Sequence, residues 1–141
     1  MNKHTAVSWT ALVIALAILI LPRLIPVCTG QMQLANGMTA PMVCHYAFQA
    51  VFFIALLAVI AAAALFVVRT AEARSLTGFF LLLLGLGVIS LPQSWFIGIC
   101  PHGGACAKTA FFTTLGGALL SVSGAVLIWL HRGGDREDRS A

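Results

Sequence analysis

The sequence predicts an all-α fold, a four-helix bundle that spans a membrane, and three observations predict it. Hydrophobic residues make up 60% of the 141 residues, whereas charged residues make up only 9%. The apolar residues fall into four runs, each about as long as the roughly 20 residues that a helix needs to cross a bilayer. The charges fall outside the centres of these runs. Because about a quarter of a typical soluble domain is charged, this composition excludes a soluble enzyme, a disordered tail and a free nucleic-acid binder.

The first two predicted helices cover residues 5–27 and 46–68. A membrane span has to satisfy its own backbone hydrogen bonds, which a helix does. The first run could instead be a signal peptide, but no small-x-small cleavage site follows it, so we expect it to be retained as a span. Pro22 and Pro26 lie near its end, where proline can bend or terminate the last turn. The second run contains no charge at all.

The last two predicted helices cover residues 75–99 and 109–130. Pro92 lies near the end of the third helix, again where a last turn can bend or stop. The membrane domain is therefore predicted to be residues 1–131. Residues 132–141 mix acids, bases and two glycines, and we expect them to form a flexible cytoplasmic tail.

Lysine and arginine are distributed unequally between the two sides of the predicted bundle. Two of them, Arg23 and Lys108, flank the longer loops over residues 28–45 and 100–108, and six lie on the other side: Lys3, Arg69, Arg74, Arg132, Arg136 and Arg139. Positively charged loops are enriched on the cytoplasmic side of a membrane. We therefore expect both termini to be cytoplasmic and both longer loops to face outward. The net charge of +4 is then a topology signal rather than a nucleic-acid site.

The two halves of the chain share one order of features: a helix, a cysteine, an outer loop, a second cysteine and a second helix. This order is consistent with two tandem helix hairpins related by an axis along the membrane normal. The alternative is that the similarity between the two halves arose by chance, because the similar segments are short.

Small residues recur at helical spacing on the predicted spans and favour close packing of the helices, since lipid gives helices no hydrophobic reason to associate. A face for a partner helix is the alternative. The residues that we predict to pack helices are Gly85, Gly117, Ser121 and Gly124.

Each predicted helix carries one cysteine at its outer end: Cys28, Cys44, Cys100 and Cys106. An even number of cysteines on an oxidising face predicts disulfides, and four cysteines allow three connectivities. The pairs Cys28–Cys44 and Cys100–Cys106 are favoured because each would close one hairpin at its open end, but pairs between the two loops remain open. A thiol oxidoreductase is the alternative, although the chain has no Cys-x-x-Cys.

Methionine and histidine also gather in the outer loops, since every methionine except Met1 lies in the first of them. Thioether, thiolate and imidazole together suit Cu(I). The candidate ligands are Met32, Met38, Met42, His45 and His102. The alternative is a loop that packs over the bundle mouth, so we expect no cofactor and keep copper as the second hypothesis.

The acidic residues are Glu72, Asp135, Glu137 and Asp138, all on the predicted cytoplasmic side. No carboxylate pair for acid–base catalysis is expected outside, and the core of no span carries the Asp, Glu, Lys or Arg residues that transporters and pumps use. The sequence therefore favours a protein that is not an enzyme.

Three short motifs resemble a bacterial four-span membrane protein family of unknown function. They are Pro-Val-Cys ending at Cys28, Met-x-Cys-His ending at His45, and Ile-Gly-x-Cys ending at Cys100 and followed by Cys106. The resemblance covers most of the chain, but Ala105 stands where the family pattern has a methionine, which weakens a metal role for the second loop.

Some members of this family are encoded beside FtsX/MacB-type ABC exporters. The resemblance thus implies a subunit of the bacterial inner membrane whose partner is the lipid bilayer and a larger complex, such as an ABC-type exporter, or a second copy of the chain.

Together, the residues and the resemblance predict a non-catalytic accessory subunit stapled by disulfides on its outer face. The alternative is an outward-facing copper-binding or thiol-redox protein that uses the loop cysteines, methionines and histidines.

Overall fold

A computed structural model describes residues 3–24, 31–33, 35–41, 43–93 and 105–138. Within these ranges it contains four helices: α1 Lys3–Leu24, α2 Val43–Val67, α3 Ala71–Ser90 and α4 Ala105–Asp138. Each holds a segment long and apolar enough to cross a membrane, namely Thr5–Leu24, His45–Val67, Ala71–Ser90 and Ala107–Leu130. The predicted all-α, four-helix membrane bundle is confirmed.

The helices form a ring in which α1 packs on α2 and α4, and α3 packs on α2 and α4, with α3 and α4 in the most extensive contact. Neighbours run antiparallel: Trp9, early in α1, meets Phe66, late in α2, and Arg23, late in α1, meets Phe52, early in α2. The start of α1, the α2–α3 turn and the end of α4 therefore share one end of the bundle, which we call the tail end. The opposite end, where α1 and α3 end and α2 and α4 begin, is the loop end.

The core between the helices combines alanines with larger apolar side chains, such as Leu81, Leu120 and Leu127. Ala11 and Ala15 of α1 and Ala55, Ala58 and Ala62 of α2 are all fully buried. Alanine at successive turns lets helix axes approach closely, which favours van der Waals contact in lipid. The large apolar side chains mostly point outward, as expected where the surrounding solvent is hydrocarbon; examples on the four helices are Val13, Ile60, Phe79 and Val122.

The third helix differs from its predicted range of 75–99, because it begins at Ala71 and ends at Ser90. Leu91 still donates its backbone N–H to the Gly87 carbonyl, at 3.1 Å, but Pro92 has no N–H with which to continue the ladder. The next bond is the tighter one from the Gln93 N–H to the Ser90 carbonyl, at 3.2 Å. Proline thus ends this helix rather than bending its last turn.

The fourth helix continues to Asp138, through most of the segment that we predicted to be a flexible tail. Extending an existing helix costs far less than starting one, since each further residue adds one hydrogen bond. The two glycines at 133 and 134 lower helix propensity, but they do not end the helix. The helical conformation of residues 132–138 was not expected, and the flexibility of the segment over residues 132–141 stays a prediction.

A small antiparallel ribbon follows α1 at the loop end. Strand β1 is Gln31–Gln33, strand β2 is Thr39–Pro41, and Met32 is paired with Ala40. The turn between them contains Asn36 and Gly37, and Gly37 has φ of +74°, a conformation that glycine adopts without steric cost. These strands were not predicted, although the Asn36-Gly37 pair is a strong signal for a hairpin turn.

Candidate functional site

A cleft opens at the loop end between the end of α1 and the start of α2. Its volume is about 380 Å³, which is within the range of small-molecule sites. Three polar side chains and four apolar ones line it: Arg23, His45, Gln49, Pro22, Phe48, Phe52 and Phe53. The cleft exists because α1 and α2 are antiparallel, which brings the last turn of one beside the first turns of the other.

Arg23 lies over an aromatic ring of the neighbouring helix. Its guanidinium carbon is 5.8 Å from the centre of the Phe52 ring, a cation–π distance. The five N–H donors of a guanidinium form a planar fork that suits an oxygen anion. The same ring contact holds the long Arg23 side chain against the cleft wall.

Polarity changes with depth along the cleft. His45 and Arg23 stand at the boundary of their spans, since His45 begins the apolar stretch of α2 and Leu24 ends that of α1. Gln49 lies about one turn further into α2, followed by Phe52 and Phe53. Phe48 is buried, whereas Phe53 is 57% exposed on the outer surface of the bundle. The cleft thus has a polar mouth, an apolar floor and an opening toward lipid.

The loop end is electropositive because the chain supplies no acidic side chain there. Its four acids are Glu72, at the start of α3, and Asp135, Glu137 and Asp138, at the end of α4, so all belong to the tail end. The C-terminus of α1 carries about half a negative charge and the N-terminus of α2 about half a positive one, and these offset each other. The full positive charge of the Arg23 side chain is therefore not offset by the helix ends.

The structure describes only part of the predicted copper-ligand set. His45 is exposed, forms an edge-to-face contact with Tyr46 at 5.9 Å between ring centres, and lines the cleft. Met38 is 65% exposed beside the ribbon turn, and Met32 lies in β1. Met42 and His102 fall outside the described residues. Among those described, no three His, Cys, Asp or Glu residues form a group that could hold a metal ion.

The predicted disulfides cannot be traced in the described part of the chain. Cys28 and Cys100 lie outside the described residues. Cys44 lies in the first turn of α2 and Cys106 in the first turn of α4, both at the loop end, and their side chains are outside what the structure describes. The favoured pairing therefore stays a prediction.

The four residues predicted to pack helices lie together where α3 crosses α4. A Cβ added to Gly85 would meet the Ser121 hydroxyl, and it would lie only 2.7 Å from the Gly117 carbonyl oxygen and the Ser121 nitrogen. A Cβ on Gly124 would lie 2.6 Å from the Gly78 carbonyl oxygen. The Ser121 hydroxyl lies 3.0 Å from the Gly117 carbonyl oxygen and 3.4 Å from that of Leu82 on the opposite helix. We call this contact the α3–α4 seam.

Comparison with protein families gives one match. The sequence matches the family described as Domain of unknown function (DUF4418) over residues 10–130. The chain belongs to this family. No curated protein matches the sequence, and no solved structure matches it either.

The DUF4418 region takes in most of the apolar stretch of α1, those of the other three helices, the seam and the whole of the cleft. It ends at residue 130, where the lipid-spanning part of α4 also ends. The family therefore corresponds to the membrane bundle rather than to the charged C-terminal segment.

Sequence reasoning missed Arg23, Gln49 and Phe52 as site residues. Arg23 was counted only as one of the two positive charges on the side that was expected to face outward. The signal that could have found it is an arginine at a span boundary with no acidic residue on the same side. Its ring partner could not be found this way, because the two residues are joined only by the packing of α1 on α2.

Proposed function

We propose that this DUF4418 protein is a non-catalytic accessory subunit of a larger membrane complex, held by disulfides at its loop end. The observation that carries the proposal is the apolar core that the closely packed helices share. Ala11, Ala15, Ala55, Ala58 and Ala62 are fully buried in it, together with larger side chains such as Leu81, Leu120 and Leu127. A compact bundle of this kind suits a protein that supports another chain.

The composition of the spans supports the same role. Substrate and ion pathways through membranes depend on ionisable residues inside the spans, and the centres of these four spans contain none. The outer surface offers apolar side chains on every helix, and a partner helix could pack on any of these faces. The resemblance stated above makes an ABC-type exporter of the bacterial inner membrane the first candidate partner, and a second copy of the chain the next.

Site-specific photo-crosslinking in native membranes tests the proposal. A photoreactive residue is placed, one at a time, at Val13, Ile60, Phe79 and Val122, which are 48–59% exposed at separate faces of the bundle. We expect one face to give a discrete adduct with another membrane chain after irradiation, and the other faces to react with lipid only. Differently tagged copies, expressed together, distinguish a second copy from a foreign partner. Lipid adducts alone at all four positions would contradict the proposal.

The second candidate is an outward-facing copper-binding or thiol-redox protein. It is favoured by the ribbon, which gathers Met32 and Met38 into one hairpin a few residues before His45. Sulfur and imidazole ligands near one another suit Cu(I). An outward-facing loop end is part of the same proposal, and the charge distribution of the chain supports it.

One measurement separates the two candidates. The purified full chain is alkylated before and after reduction, its intact mass is recorded, and its copper content is measured in parallel. Four cysteines that react only after reduction, without bound copper, support the stapled subunit. Cysteines that react before reduction, or copper bound at one atom per chain, support the second candidate and count against the first.

A further inference from the structure

We propose that the loop-end cleft binds the phosphate headgroup of an anionic amphiphile, such as an anionic phospholipid, with Arg23 as the phosphate ligand. This proposal is independent of the accessory role, since a bundle could bind such a headgroup whether or not it joins a complex. It starts from the charge of the cleft. Arg23 has no acidic side chain of its own chain at this end, because every Asp and Glu lies at the tail end.

The position of Arg23 prepares it for phosphate. Its guanidinium carbon lies 5.8 Å from the centre of the Phe52 ring, and a guanidinium carries parallel N–H groups in a planar fork. Such a fork matches two oxygens of one phosphate and forms strong, charge-assisted hydrogen bonds. Gln49 and His45 line the same cleft and can add neutral hydrogen bonds.

The order of polar and apolar groups distinguishes an amphiphile from a free anion. The polar mouth is at the boundary of the spans, and Phe52 and Phe53 continue from it toward the middle of α2. A lipid has the same order, with a charged headgroup at the membrane surface and acyl chains beneath it. Phe53, exposed on the outer surface, would contact the chains, and an inorganic phosphate would leave this apolar part of the cleft unused.

The volume also fits this ligand. About 380 Å³ accommodates a phosphate and the glycerol region of a lipid, and the acyl chains can leave through the lipid-facing opening. The charge complementarity selects anionic over zwitterionic headgroups, because a choline ammonium would bring a second positive charge next to Arg23.

Lipid titration of the full chain, followed by native mass spectrometry, tests the proposal. The delipidated protein in neutral detergent is titrated with phosphatidylglycerol, with phosphatidylcholine and with glycerol phosphate. We expect phosphatidylglycerol to bind in preference to phosphatidylcholine, and R23Q to weaken this binding by about tenfold or more, the value of a lost charge-assisted hydrogen bond. The matched control is K108Q, which removes an equal charge at the same end but outside the cleft. It should change the affinity by less than about twofold, because Lys108 does not line the cleft and salt screens a charge that does not contact the ligand.

A second variant keeps the proposal testable if R23Q folds poorly. Gln49 is exposed, so the isosteric Q49E should fold while placing a carboxylate in the cleft, and it should weaken phosphatidylglycerol binding by about tenfold.

Equal losses of affinity in R23Q and K108Q would reduce the effect to overall charge and overturn the proposal. Equal binding of phosphatidylcholine would overturn it as well. Displacement of the lipid by an equal concentration of glycerol phosphate would identify a free-anion site instead.

Discussion

At the scale of single residues, the α3–α4 seam depends on the absence of a side chain at Gly85. We predict that G85A lowers the free energy of unfolding by about 1–3 kcal/mol, the cost of overpacking a close contact. The physical reason is that the new methyl group would meet the Ser121 hydroxyl and would lie 2.7 Å from two backbone atoms of α4. Reversible unfolding in detergent micelles or bicelles measures the change.

Gly87 provides the matched control on the same helix. A Cβ there meets only the end of the Ile54 side chain, at 3.6 Å, an ordinary contact. G87A should therefore leave the stability unchanged or raise it by up to about 1 kcal/mol, since alanine is the better helix former. Adding S121G to G85A should restore only part of the loss, because the backbone of α4 still blocks the methyl group. Equal stability of G85A and G87A would show that the helices do not approach this closely.

At the scale of elements, the turn between α2 and α3 is stabilised by a hydrogen bond from an arginine of α3 to the residue that follows α2. Arg74, in the first turns of α3, donates its Nε–H to the Val68 carbonyl at 2.9 Å. Val68 directly follows α2, and backbone acceptors at the end of a helix lack helical partners. We predict that R74Q costs about 1–2 kcal/mol of stability and speeds backbone hydrogen exchange around residues 68–70.

The control for this prediction is R69Q, which removes the same charge from the same turn. Arg69 is exposed, and an exposed charge of this kind contributes little to stability. A shift in exchange of equal size in both variants would mean that charge, rather than the hydrogen bond, holds the turn.

The helices could be predicted from the sequence because their signal is local. A run of apolar residues at membrane length leaves the backbone little choice except a helix. Helix ends were harder to predict, since the third helix was expected to run to residue 99, whereas it ends at Ser90, directly before Leu91 and Pro92. The fourth helix, in turn, passes through Gly133 and Gly134 because extension is inexpensive once a helix exists.

The cleft was not predictable, because it depends on contacts between elements far apart in sequence. His45 was selected for its chemistry and does line the cleft. Arg23 and Phe52 come from different helices, and no periodicity in the chain links them. The seam residues were easier to select, since small residues at helical spacing are themselves the local signal for close packing.

At the scale of the whole molecule, the charge distribution and the antiparallel ring make one joint prediction about orientation. The tail end holds the starts of α1 and α3 and the end of α4, with Arg69, Arg74, Arg132 and Arg136, whereas Arg23 and Lys108 are at the loop end. Positively charged residues are enriched on the cytoplasmic side of a membrane. A fluorescent protein that fluoresces only in the cytoplasm should therefore fluoresce when it is fused to either terminus.

The complementary fusion places an alkaline phosphatase, which folds only outside the cytoplasm, in the ribbon turn. Residues 35–37 are exposed there and lie between two short strands, so the insertion should leave the four helices intact. We expect activity from this fusion and none from the same enzyme fused after residue 141. The opposite pattern would reverse the bundle in the membrane. It would place the Arg23 cleft in the cytoplasmic leaflet and the four cysteines on a reducing face, where disulfides would not persist.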